Sequence, residues 1–312
     1  MLRFSPVLLC LLLACGTPQT QDPHVTWSHY LGDHASSQYS KLNQINRENV
    51  GDLEVAWVYA TGDADTTGRT QIQSNPIVVG DVLYGVSPRI KIFALNAATG
   101  THLWTFDPFA SGAVAEGPSI LRGVSYWQGN RVRRSRILFT AGARLFAINA
   151  STGKLIESFG DGGSVDLREG LGRDVSGLAV SARTPGIIHK NLLIQGTSLS
   201  EGPQSAPGHI RAYDVRTGAI IWTFHTIPHP GEYGYGTWPE DAYERIGGAN
   251  AWTGLSLDKK RGIVFLPTGS AAFDFWGGNR KGENLFANSL LALDANTGER
   301  IWHYQIVHHD IW

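Results

Sequence analysis

Apolar positions in this chain come in short runs cut by glycine, proline and Asx residues. "PIVVGDVLYGV" (76–86) and "RGIVFLPTG" (261–269) are typical. Strand-length runs of this kind between turn signals predict antiparallel strands at short spacing. Hardly any stretch keeps a helical period for the length of a helix. The pattern therefore predicts an all-β fold.

One sequence unit organises these strands. "FALNAATGTHLW" (93–104), "FAINASTGKLIE" (146–157), "RAYDVRTGAIIW" (211–222) and "LALDANTGERIW" (291–302) share the form A-x-[DN]-x-x-T-G-x-x-x-W, with Glu157 replacing the tryptophan in the second copy. In each copy a strand ends at Asp or Asn, whose side chain caps a tight turn. Thr-Gly supplies the bend, because glycine takes positive φ without steric cost. The following strand then carries a large aromatic. Successive copies start 53, 65 and 80 residues apart, wider than a bare four-stranded unit of ~40–50 residues, so the later units carry insertions. Radially repeated four-stranded sheets make a β-propeller. Four copies, with a further N-terminal strand expected around "LEVAWVYAT" (53–61), make an incomplete ring with two open edges. Trp104, Trp222 and Trp302 are expected to pack blade against blade.

The N-terminus reads as targeting sequence. In "MLRFSPVLLCLLLACGT" one positive charge at Arg3 precedes an apolar run. The run is shorter than the ~20 residues of a spanning helix and suits a signal-peptide core. Its end, Leu12-Leu13-Ala14-Cys15, has the form of a lipobox, in which Cys15 becomes the acylated mature N-terminus; an ordinary signal peptide with an incidental cysteine is the other reading. The expected organisation is a signal segment over 1–15, a linker over 16–26 and a partial propeller over 27–312, exported to the periplasm and lipid-tethered to the membrane. Cys10 and Cys15 are the two cysteines, so no disulfide is left for the fold. The 37 glycines, 10 tryptophans and 17% charged residues fit a turn-rich β protein. A net charge of −1 gives no footprint for nucleic acid, and "RVRRSR" (131–136) reads as a solvated hairpin.

The repeat, preceded by "WSHYLGDHASSQYSKLNQINRENVGDLEVAW" (27–57), resembles the quinoprotein dehydrogenases, most of all their membrane-associated glucose/quinate/shikimate branch. The resemblance implies an eight-bladed propeller, pyrroloquinoline quinone (PQQ) and Ca²⁺ as cofactors, and hydride transfer from a sugar, polyol or alcohol. It also implies a quinone or cytochrome as electron acceptor. On the matching motifs, Arg122 in "RGVSYW" binds PQQ carboxylates, as a planar guanidinium can do bidentately. Trp252 in "GGANAWTGLSLD" is the floor beneath the PQQ ring, with Asn250 and Thr184 as polar neighbours, and Gln73 stands where many members carry a glutamate near the quinone. Without the resemblance, Arg122 reads as a surface arginine and Trp252 as strand packing.

For calcium, which prefers hard oxygen ligands, the resemblance implies Glu201 in "QGTSLSEGP". Ser270 stands in "LPTGSAAFDFWGGNR" where an asparagine is usual, and Asp274 is available to compensate. Pro118 replaces a histidine of the glucose enzyme, and no vicinal cysteine pair is present; these departures argue against glucose as substrate. The segment "HHDIW" (308–312) matches the motif His-(His)-Asp-x-Trp-Asp, whose last aspartate takes the substrate proton. The expectation is therefore an N-terminal portion, inactive alone, with the base directly after Trp312, with His309 and Asp310 as its neighbours, and with the C-terminal half as a required partner. Adjacent His308 and His309 point to opposite faces of a strand and cannot share one metal. The loop "HPGEYGYGTWPEDAYERIGG" (229–248) either lines the mouth of the site or is an ordinary packed loop. The alternative from another class is a non-catalytic propeller lipoprotein that serves as a protein-binding scaffold.

Overall fold

The repeated turn forms as its residues dictate. In the computed structural model, which describes residues 25–65, 67–68, 70–110, 112, 120–130 and 134–311, Asn96 Oδ1 accepts hydrogen bonds from the Ala98 and Thr99 amides, both at 3.0 Å. Asn149 and Asp294 repeat the pattern with the two amides that follow. The glycines closing these turns have φ from +67° to +80°. The expected signal segment with Cys15, most of the expected linker, Pro118, residues 131–133 and Trp312 lie outside the described residues.

Each turn joins the inner strands of a four-stranded antiparallel sheet to its outermost strand. The first blade comprises Ile77–Val79, Val82–Val86, Ile92–Asn96 and His102–Phe106. The second comprises Ser125–Trp127, Arg136–Ala141, Arg144–Asn149 and Ser164–Asp166, and the third Ile187–His189, Leu192–Gln195, Ile210–Asp214 and Ile220–Phe224. The fourth runs through Ser256–Asp258, Ile263–Pro267, Ser289–Asp294 and Arg300–Gln305. Every blade is a meander in chain order, so the all-β propeller architecture is borne out, with sheets that do not close into a ring.

The spacing of the repeat has a packing reason. Its alanine sits across the ladder from its tryptophan: Ala94 opposite Trp104, Ala212 opposite Trp222, Ala292 opposite Trp302. A small residue there makes room for the indole. Trp104 then lies on the turn of the second blade, where a Cβ on Gly153 would come within 2.5 Å of its ring, and donates from Nε1 to Ala150 O at 3.2 Å. Trp222 repeats this on Gly298 and Ala295 of the fourth blade. These turns thus need glycine twice, for φ and for the indole above. The three largest hydrophobic clusters accordingly lie between successive blades.

Trp302 departs from the expectation: it is 41% exposed and its nearest ring is Phe265 of its own blade. The segment 53–61 also departs, because it pairs with no strand among the described residues and leaves Val55 and Val58 80% and 85% exposed. Strand formation needs a neighbour for its ladder, and none is present, although Trp57 still packs on Gly100. The solvated reading of 131–136 fails at Arg136. This residue is buried in the second blade and donates to Val215 O and Arg216 O of the third at 2.9 and 3.0 Å.

The long connection 229–248 is a packed loop. Trp238 is buried among Ile227, Ala242, Ile246 and Ala287, and its indole N–H donates to Leu285 O. At its end Gly248, with φ +73°, threads so close to Ala272 that a Cβ would meet that backbone at 2.5 Å. This close approach delivers Asn250 and Trp252 to the same end of the blades as Ser270.

Candidate functional site

Three loops meet beside Trp252. Thr184, buried after the second blade, donates from its hydroxyl to Trp252 O at 2.9 Å and accepts from Arg122 Nη1 at 3.4 Å. The Arg122 guanidinium stands 5.8 Å from the centre of the Trp252 ring, a cation–π distance. Asn250 spends its amide N–H on Thr197 O at 2.7 Å, leaving its side-chain oxygen as an acceptor. Trp252 itself is 47% exposed, so an aromatic face is presented with a cation beside it. Arg122, Thr184, Asn250 and Trp252 are therefore brought together. Gln73 is half-buried, its amide donates to Gln71 at 3.0 Å, and no hydrogen bond joins it to that group.

The oxygen-rich part of the site adjoins the indole. Gly269 N donates to Asn250 O at 3.0 Å, and a Cβ on Gly269 would lie 3.7 Å from Trp252 Nε1. The next residue, Ser270, donates from Oγ to Asp310 Oδ2. Asn288 Nδ2 donates to that carboxylate oxygen and to Ser270 Oγ, each at 3.1 Å. Arg280, almost wholly buried, donates from Nη2 to Asp310 O at 2.6 Å and from Nη1 to Asn284 Oδ1 at 2.7 Å. Asp274 N donates to Glu201 O at 3.1 Å, which ties the two loops at that point. Burial, then the Glu201 carboxylate, pushes the Asp274 carboxyl up to about 6, with Asp310 adding to the rise and Arg280 opposing it.

The set around Ser270 is thus a field of hard oxygens with one buried guanidinium, and its donor chemistry fits Ca²⁺. Its carboxylates remain apart. Among the described residues, the His, Cys, Asp and Glu donors that lie within 4.8 Å of one another belong to His209, His225 and His229. His308 is exposed, and His309 Nδ1 meets Gly282 O at 2.8 Å, holding the terminal segment on the 273–283 loop. Sequence reasoning missed Asn288 and Arg280. Each reads as an ordinary loop residue, and only the folded register sets them against Asp310. An open depression of about 450 Å³ lined by Arg173, Asp174, Gln204 and Glu244 includes none of the expected site residues; hydrogen-bonded geometry, rather than depth, locates the site.

The family model described as the glucose/ethanol/alcohol dehydrogenase β-propeller domain, a PQQ domain, matches residues 27–312. The chain is 34% identical over 302 residues to the quinoprotein glucose dehydrogenase of Escherichia coli (strain K12), covering 92% of this chain and 37% of that protein. It is 33% identical over 314 residues to the quinate/shikimate dehydrogenase (quinone) of Acinetobacter baylyi, covering 92% and 38%. A solved quinohemoprotein alcohol dehydrogenase from Pseudomonas putida HK5 superposes with a TM-score of 0.76 at 29% identity, over 93% of this chain and 41% of that one. The chain spans well under half the length of these relatives. By its repeat, its blades and these matches, the chain belongs to the PQQ-dependent quinoprotein dehydrogenases, a family of oxidoreductases.

Proposed function

We propose that residues 27–312 form the cofactor-binding portion of an exported PQQ- and Ca²⁺-dependent dehydrogenase for sugars, polyols or alcohols. It is held at the periplasmic face of a membrane through lipidated Cys15 and passes electrons to a quinone or cytochrome. The observation that carries this reading is the junction at Gly269, where the exposed face of Trp252 meets the oxygen cluster of Ser270, Asn288 and Asp310.

Bound PQQ supplies a quinone carbonyl that accepts hydride, and Ca²⁺ makes that carbonyl more electrophilic. The work of this chain is to bind and orient. Trp252 offers a flat apolar face for stacking, and Arg122 offers a two-pronged donor for a carboxylate. Thr184 fixes the Trp252 backbone and so the tilt of the indole. Glu201, Ser270, Asp274, Asn288 and Asp310 supply oxygens of the class calcium takes. The Asp310 carboxylate is already committed to Ser270 and Asn288, which suits a positioning role better than that of proton acceptor. The proton acceptor is the aspartate that the family motif puts directly after Trp312, and the remaining blades come from the C-terminal half.

Titrating the folded chain with PQQ in the presence of Ca²⁺ tests this. Saturable quenching of indole fluorescence is expected, reduced by chelation of Ca²⁺ and weakened about 10- to 100-fold in Arg122→Met, the value of a charge-assisted pair of ~1.5–3 kcal/mol. A chain with intact strand circular dichroism and no saturable quenching would overturn the proposal and favour the scaffold reading.

A further inference from the structure

Away from the Trp252 site, three histidines converge at the end of the third blade. Ile210–Asp214 pairs antiparallel with Ile220–Phe224, with Ile210 opposite Phe224. His209 and His225, one step beyond that pair, therefore face each other, their ring centres 4.6 Å apart. The chain turns through Thr226, Ile227 and Pro228 and brings His229 back. Its ring stacks on His225 at 3.9 Å and lies 5.8 Å from His209. One ring nitrogen from each of the three lies within 4.8 Å of the others.

His209 is the informative member. It is 1% exposed, and neither of its ring nitrogens has a hydrogen-bond partner. Buried polar atoms are nearly always paired, and an unpaired one carries the full cost of leaving water. Here both nitrogens of one ring are left open toward two other imidazoles. Glu232 completes the arrangement. It accepts from His225 Nδ1 at 2.8 Å and from the His229 backbone N–H at 2.7 Å. A carboxylate on one ring nitrogen fixes the tautomer and leaves the other lone pair pointing outward, the usual support of a metal-ligating histidine.

We propose that His209, His225 and His229 form a three-imidazole site for a divalent transition ion of the zinc class, with Glu232 orienting His225 and water as the fourth ligand. The charges around the site favour this class over a hard cation. Arg211 and Arg173 both act on His209. Arg211 is occupied by Glu169 O at 2.7 Å, and Arg173 by Ser205 O at 2.7 Å and Tyr243 O at 3.4 Å. Two guanidiniums repel an ion held by charge alone; a borderline-soft ion bound through nitrogen coordination gains most of its affinity elsewhere. Ligand nitrogens around tetrahedral zinc at ~2.0–2.1 Å stand about 3.3 Å apart. The trio must therefore close slightly and the stacked rings tilt. His225 and His229 are half-buried and lie beyond the strand end, so both have room to do so. Such an ion clips the end of the third blade to the start of the 229–248 loop, whose far end carries Asn250 and Trp252.

The test uses the metal-stripped 312-residue chain without PQQ, so its outcome is separate from that of the dehydrogenase proposal. Titration with Co²⁺ is expected to give one saturable tetrahedral-type visible spectrum per chain, displaced by equimolar Zn²⁺ and untouched by excess Ca²⁺. His229→Ala and His225→Ala abolish the spectrum, and Glu232→Gln weakens binding about 10- to 100-fold. His102→Ala in the first blade and Asp274→Asn in the oxygen cluster leave it unchanged. His229 lies in a half-buried loop position, and strand circular dichroism confirms that its variant is folded. Absence of a saturable Co²⁺ spectrum from the folded chain, its survival in His229→Ala, or its loss on adding Ca²⁺ overturns the proposal.

Discussion

Glu201, Ser270, Asp274, Asn288 and Asp310 array oxygens around a buried guanidinium, whereas His209, His225 and His229 array nitrogens around one another. The two clusters gather their donors in opposite ways. In the oxygen cluster, burial and the Glu201 carboxylate push the Asp274 carboxyl up to about 6, and the Arg280 guanidinium opposes the rise. The histidine cluster has no such counter-charge within it, and its most buried member, His209, is without hydrogen bonds. Donor chemistry thus sets the class of ion each cluster suits.

The largest effect expected from disturbing this contrast is at Arg280. Arg280→Met leaves Asn284 Oδ1 and Asp310 O without their donor and the carboxylates without their cation. Leaving a buried acceptor without its donor costs about 1–3 kcal/mol, readable by urea unfolding without Ca²⁺. A loss under about 1 kcal/mol would mean that the oxygen cluster needs no internal cation. A smaller effect is expected at Ser270. Ser270→Asn replaces a hydroxyl by an amide carbonyl, the harder donor for calcium, and should tighten Ca²⁺ roughly 10-fold, about 1.4 kcal/mol, by calorimetric titration. Unchanged or weaker binding would place Ser270 outside the ligand set.

A further set of effects is in pH. Burial holds His29 down to about 4 and His34 down to about 3, so in the folded chain both stay neutral where the unfolded chain, at 6.5, takes up protons. Their stabilising contribution is complete above 6.5 and is lost as pH falls from there toward 4 and 3. Asp274 runs the other way, its contribution complete below 3.8 and lost as pH rises through about 6. Melting profiles should lose slope between pH 6.5 and about 3 in His34→Asn, and between 3.8 and about 6 in Asp274→Asn. Profiles parallel to the wild type in both variants would show that neither group is differently charged on folding.

How much of this was legible in the sequence depends on how local the cause is. The turn signature carried the blades because Asn96, Gly153 or Asp294 act within a few residues, and because the alanine-to-tryptophan spacing is itself a cross-strand pairing. The strand expected over 53–61 failed because its ladder partner is not local, and Arg136 was misjudged because the carbonyls it serves belong to the next blade. At the site, the resemblance named Arg122, Thr184, Asn250 and Trp252, which do meet, but also Gln73, which joins them through no hydrogen bond. Nothing in "FANS" or "GGNRKG" marks Asn288 or Arg280. The histidine cluster was readable in principle: His209 and His225 flank one repeat hairpin, and antiparallel pairing sets the two ends of a hairpin face to face.

The indole-on-glycine docking has a spectroscopic consequence. Trp104 and Trp222 each rest on a turn of the blade after their own, and Trp57 rests on the turn of the first blade, so each emission reports a different contact along the chain. Structures whose units touch only their neighbours melt unit by unit when junction strengths differ. With the remaining tryptophans replaced, single-indole variants would read out the order in which the blades let go of one another, a sequence of events that a bulk strand signal averages away.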